Sequence, residues 1–83
     1  MTDKIVLYTL EKCARCELVK LMLDEHNVAY ETINDRQIML DRGFETVPVL
    51  EVNGNVIDEY PNILTWLEKN GYYSFGVDED ESN

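Results

Sequence analysis

The sequence predicts an α/β fold, a four-stranded mixed sheet with three helices in the order β-α-β-α-β-β-α. Three observations carry this expectation. Two strand-like runs bracket a helical segment in the first half, the pattern of a βαβ unit. An Asn-Gly pair joins two further β-rich stretches. A last helical segment, opened by Pro and closed by Gly, follows them. At 83 residues one domain is expected. A domain of this size buries only about 60–65% of the surface its unfolded chain exposes, so the core must be small.

Lys4 to Tyr8 reads Lys-Ile-Val-Leu-Tyr, a short continuous apolar run of β-formers, and predicts a buried strand. Thr9 to Lys12 is polar and leads towards a helix. Glu17 to His26 is rich in helix formers, and Leu18, Val19, Met22 and His26 fall on one helical face. Asn27 marks its end. Val28 to Ile33 carries Val, Tyr, Thr and Ile and predicts the second strand. Asp35 is placed to N-cap a short helix through Asp41, with Gly43 at its stop. Val47 to Val52 and Asn55 to Ile57 flank Asn53-Gly54, the preferred type I′ pair because both residues tolerate positive φ, and predict a hairpin. Pro61 suits the first position of a last helix that runs to Asn70 and stops at Gly71, with Ile63, Leu64 and Leu67 as its apolar stripe. The βαβ unit should be right-handed with parallel strands, and the hairpin adds an antiparallel edge. Residues 78–83 read Asp-Glu-Asp-Glu-Ser-Asn and are expected to be a disordered acidic tail on a domain spanning 1–77.

Charge narrows the function. Seventeen acidic and 7 basic side chains give a net charge of −10. Such a surface repels phosphates, which excludes nucleic-acid binding and disfavours anionic membranes. The 45% hydrophobic content is too high for a wholly disordered acidic chain. No apolar run approaches the roughly 18 residues of a membrane span, and Met1-Thr2-Asp3-Lys4 does not open a secretory signal, so a cytoplasmic protein is expected.

Cys13 and Cys16 are the only cysteines. A bridge closing so few residues gains little chain entropy and is a poor structural staple. Structural zinc takes four ligands, and only His26 is available beside these two. Attached c-type haem needs His after the second Cys, where Glu17 stands. A redox pair, a metal or cluster shared between chains, and an accident of composition remain. His26 is read as a helix-end residue, and Trp66 and the tyrosines as core or rim. Tyr8, at a strand end, is also a candidate to line the approach to the cysteines.

Cys13-Ala14-Arg15-Cys16 between a first strand and a first helix resembles the thioredoxin superfamily, and Thr46-Val47-Pro48 before the hairpin resembles the Thr-Val-Pro of glutaredoxins. The resemblance covers roughly residues 4 to 70. It implies a minimal thioredoxin/glutaredoxin fold and a dithiol thiol–disulfide oxidoreductase. Cys13 would be the nucleophile, Cys16 the resolving thiol, and the two would form a redox-active disulfide with no tightly bound cofactor. The bond before Pro48 would be cis, leaving the Val47 backbone free to pair with an extended substrate. Cys13 at a helix N-terminus gains from the dipole and from unpaired N–H groups, which favour the thiolate. Lys12 and Arg15 push the same way, while Glu11 and Glu17 oppose them. Lys12, Arg15, Thr46, Val47, Pro48 and Tyr60 are the expected substrate-binding residues.

Glutaredoxins hold a carboxylate of glutathione on backbone N–H groups at the start of the last helix. Here the matching stretch is Ile57-Asp58-Glu59-Tyr60-Pro61-Asn62, where Asp58 and Glu59 replace glycines and Pro61 has no N–H. That loss resembles the NrdH-redoxins, glutaredoxin-like in sequence, which are reduced by thioredoxin reductase and supply electrons to ribonucleotide reductase. The expected partners are therefore thioredoxin reductase and a disulfide-containing protein such as ribonucleotide reductase, with the chain a monomer. A glutathione-dependent glutaredoxin is the alternative. Ala14 rather than Pro after Cys13 keeps an iron–sulfur cluster or protein-binding module open as a further one. Four acidic residues lie in 78–83, leaving −6 on residues 1–77, a charge that favours a partner with a basic docking face.

Overall fold

The computed structural model describes residues 3–73, so the expected acidic tail lies outside the described residues. Seven elements follow the predicted order: β1 (Ile5–Tyr8), α1 (Ala14–Glu25), β2 (Glu31–Ile33), α2 (Arg36–Asp41), β3 (Val49–Val52), β4 (Asn55–Ile57) and α3 (Tyr60–Lys69). The four strands form one mixed sheet in the order β2-β1-β3-β4. β1 pairs parallel with β2, Tyr8 opposite Ile33, and antiparallel with β3, Tyr8 opposite Val49. β3 and β4 are the antiparallel hairpin, turned at Asn53 (φ 52°) and Gly54 (φ 87°) as the type I′ pair requires.

The continuous apolar run of β1 is explained by helices on both faces of the sheet. Successive strand side chains point to opposite faces. Ile5 and Leu7 therefore join Val19, Met22 and Leu23 of α1, Leu50 of β3, and Ile63 and Leu67 of α3 in one core. Val6 and Tyr8 point the other way and pack with Met39 of α2 and Val49. The outer strands β2 and β4 are three residues each and mostly exposed, which leaves little unpaired edge.

The predicted helix stops hold in detail. Asn27 (φ 58°), Gly43 (φ 81°) and Gly71 (φ 78°) are all left-handed. Each helix closes with the paired bonds of a Schellman motif, as in Gly71 N–H to Glu68 O (3.1 Å) and Tyr72 N–H to Leu67 O (2.8 Å). Asp35 caps α2 as expected, its Oδ1 accepting from Gln37 N (2.9 Å) and Ile38 N (3.3 Å).

Some expectations need correction. α1 starts at Ala14, earlier than the composition suggested, and its buried face is Cys16, Val19, Met22 and Leu23. Leu18 is 39% exposed, and His26 is exposed at the C-cap with Nδ1 against Met22 O (2.9 Å). The stripe runs from Cys16, so the Leu18 and His26 positions rotate outward. β2 is shorter than 28–33 because Val28 N–H is engaged in closing α1 on Leu23 O (3.0 Å). β3 begins at Val49, since Pro48 has no N–H for the ladder. α3 begins at Tyr60, which puts Pro61 at its second position.

Tyr30 packs at the edge of the larger core and donates its hydroxyl to Asp24 Oδ1 (2.9 Å). Burial first, then this bond to a carboxylate, disfavours the phenolate and pushes its pKa from 10.0 up to about 12. The folded value is the higher one. The stabilisation by the neutral phenol is thus complete below pH 10.0 and disappears as the pH rises through about 12. Denaturant unfolding across that window should show stability falling with pH, and Tyr30→Phe should fall less steeply. Equal slopes would remove Tyr30 from the account.

Candidate active site

β1, β2 and β4 all point their C-terminal ends towards one edge of the molecule, and β3 starts there. The segments carrying Lys12 and Cys13, Asn34 to Arg36, Thr46 to Pro48, and Asp58 to Tyr60 therefore emerge together. β1 has its βαβ partner on one side and the hairpin on the other. The gap beyond its C-terminal end is thus the switch point at which open α/β sheets bind ligands.

Cys13 is the N-cap of α1, with extended backbone (φ −111°, ψ 104°), and its carbonyl accepts the first helical bond from Glu17 N (3.1 Å). Its Sγ accepts from Cys16 N–H at 3.1 Å. One turn on, Cys16 is 0% exposed and belongs to the helix's core face, whereas Cys13 is half-buried. The two form a disulfide, with Cα atoms 5.2 Å apart. The N-terminus of α1 and the Cys16 N–H are thus both directed at Cys13 Sγ. Lys12, exposed, sits in the left-handed region (φ 60°), a conformation that is uncommon for a residue with a Cβ. It shares an open hollow of about 420 Å³ with Glu11, Asn34 and Arg36.

Arg15 lays its guanidinium 4.9 Å from the centre of the Tyr60 ring. This stack joins the start of α1 to the start of α3 and brings together two of the expected substrate-binding residues. The Val47–Pro48 bond is cis, as the resemblance implied, and Pro48 is buried. Among the described residues neither the N–H nor the C=O of Val47 has a hydrogen-bond partner. Thr46 is exposed and lines a cleft of about 230 Å³ with Glu45, Asp58 and Glu59. At the start of α3, Glu59 is the N-cap but makes no side-chain cap bond, and Pro61 withdraws one N–H.

Tyr8 does not line the approach. It is 3% exposed and lies under the opposite face of the sheet, with its hydroxyl between Glu51 Oε1 (2.8 Å) and Arg42 Nη1 (2.8 Å). Burial, followed by the Glu51 contact, raises its pKa, while Arg42 works against the rise. Sequence reasoning missed Glu45, although it adjoins Thr46, and Arg36, which only the parallel pairing of β1 and β2 carries beside Lys12. Among the described residues no group of three or more His, Cys, Asp and Glu is placed to hold a metal ion, and no helix is long and apolar enough to cross a membrane.

Comparison with known proteins agrees with this geometry. The family model described as Glutaredoxin matches residues 5–57. Glutaredoxin 1 from Francisella tularensis, solved with cacodylate, is 22% identical with a TM-score of 0.69, over 83% of this chain and 96% of that one. The thioredoxin-like protein BC3987 is 26% identical with a TM-score of 0.65, over 78% and 96%. No curated protein is similar enough to count as a match.

The burial difference between the cysteines is directly measurable. After reduction, limiting iodoacetamide should label Cys13 almost alone, read by peptide mapping. Comparable labelling of Cys16 would contradict the assignment of the exposed thiol.

Proposed function

The chain belongs to the glutaredoxin family and is a redox protein with a Cys13–Cys16 disulfide, and from that premise we propose that it carries electrons as a dithiol to protein disulfides, taking them from thioredoxin reductase. The acidic cleft beside Thr46, with Glu45, Asp58 and Glu59 at the weakened N-terminus of α3, is the observation that carries this reading. A carboxylate of glutathione would meet three carboxylates there and one fewer N–H donor.

Thiolate Cys13 attacks one sulfur of the substrate disulfide. That S–S bond breaks, a Cys13–substrate disulfide forms, and the other substrate sulfur leaves as a thiolate that takes up a proton. Cys16 then loses its proton and attacks Cys13 Sγ. The mixed disulfide breaks, the Cys13–Cys16 bond forms, and the second substrate sulfur leaves. Two electrons have passed from the pair to the substrate. The unpartnered N–H and C=O of Val47 offer an extended substrate one rung of strand pairing, with Thr46 and Pro48 beside it and Lys12, Arg15 and Tyr60 around the mouth. Ribonucleotide reductase is a substrate of the required kind, a protein whose disulfide must be reduced repeatedly.

Two experiments test this. Cys13→Ser should abolish insulin-disulfide reduction, while Cys16→Ser should accumulate the mixed disulfide, visible on a non-reducing gel. Activity retained by Cys13→Ser would reassign the nucleophile. Thioredoxin reductase with NADPH should also reduce the Cys13–Cys16 disulfide faster than glutathione does, at a rate that falls as salt rises, since the net charge of −10 calls for a basic docking face. Faster reduction by glutathione would favour the glutathione-dependent reading, and a salt-independent rate would remove charge from the choice of partner.

A further inference from the structure

The Glu45–Pro48 lip carries the backbone on which the proposed substrate pairs, yet among the described residues none of its four members makes a backbone hydrogen bond. Side-chain packing holds it, with Val47 against the Val6, Tyr8, Met39 and Val49 cluster and Pro48 buried, together with the anchoring of its two ends. One end is Val49, paired opposite Tyr8 in the sheet. The other is Phe44, whose N–H closes α2 on Met39 O (2.9 Å). The Phe44 ring meets Tyr8 edge-to-face, with centroids 5.0 Å apart and planes at 73°. Arg42 completes the assembly. Its guanidinium lies 5.1 Å from the Phe44 ring centre and 5.7 Å from that of Tyr8. Nη1 donates to the Tyr8 hydroxyl at 2.8 Å and lies 3.5 Å from Glu51 Oε1, which itself accepts from that hydroxyl at 2.8 Å. A planar fork can stack on rings and donate in its own plane at once, which an ammonium cannot do.

We infer that Arg42 is a positioning residue of the exchange site: bridging Glu51, Tyr8 and Phe44, it fixes the near end of the Glu45–Pro48 lip to the strand that leads into Cys13. The role rests on the reading above, that protein substrates pair along this lip. It is distinct from charge attraction, because the guanidinium is turned onto its own sheet face. It is also distinct from the chemistry of the thiolate, because the guanidinium engages Tyr8, Glu51 and Phe44.

Arg42→Met keeps an apolar stem and removes the fork. It should raise KM for insulin disulfides roughly ten- to hundredfold, with kcat, the rate of a small disulfide such as hydroxyethyl disulfide, and the pH profile of Cys13 alkylation held near wild type. Arg42→Lys retains the charge without the stack and should remain impaired. Tyr8→Phe, which loses only the hydroxyl, should shift KM in the same direction by less, and it keeps the test open if Arg42→Met unfolds. Small and protein disulfides slowed together, no change in KM, or full rescue by Arg42→Lys would each overturn the role. A wild-type protein that reduces the small disulfide but not insulin would instead overturn the underlying reading of the lip.

Discussion

β1 is covered on both faces, and the rest of the molecule is arranged around that burial. Four consecutive residues, Ile5 to Tyr8, lie at 8% exposure or less. Such a strand can be satisfied only in the middle of a sheet with helices on either side, so β1 has a parallel neighbour on one edge and an antiparallel one on the other. Because its neighbours run in opposite directions, the crossover through α1 and the hairpin segment both open at its C-terminal end. A reactive group placed just beyond Tyr8 must therefore sit between them.

Cys13 occupies that place and also caps a helix. The helix does two things with one geometry. It directs its N-terminal dipole and the Cys16 N–H at Cys13 Sγ, and its core-facing stripe withdraws Cys16 from solvent. The two sulfurs are chemically alike in isolation, and their difference in burial, Cys13 half-buried and Cys16 fully buried, follows from a single turn of helix. Around them the charge is mixed at close range, with Lys12 and Arg36 beside Glu11 in one hollow, and Glu45, Asp58 and Glu59 in the cleft towards α3. The Arg15–Tyr60 stack joins the starts of α1 and α3.

What the sequence by itself determined is local. The order of elements, the Asn53-Gly54 hairpin, the Asp35 cap and the left-handed stops at Asn27, Gly43 and Gly71 each depend on a few adjacent residues whose backbone preferences act alone. The cysteine pair and Thr46-Val47-Pro48 were legible for the same reason, being short strings with distinctive chemistry. Tertiary structure decided which side chains meet. Leu18 looked buried and is not, because the helix phase is set by Cys16 docking in the core rather than by the apolar content of the window. Tyr8 and Arg42 are 34 residues apart. They share a hydrogen bond only because α2 packs on the second face of the sheet. The gathering of Glu45 with Asp58 and Glu59 likewise waits on the antiparallel pairing of β3 and β4. Contacts across such separations depend on strand order and on which face each helix covers, and those are properties of the whole packed chain.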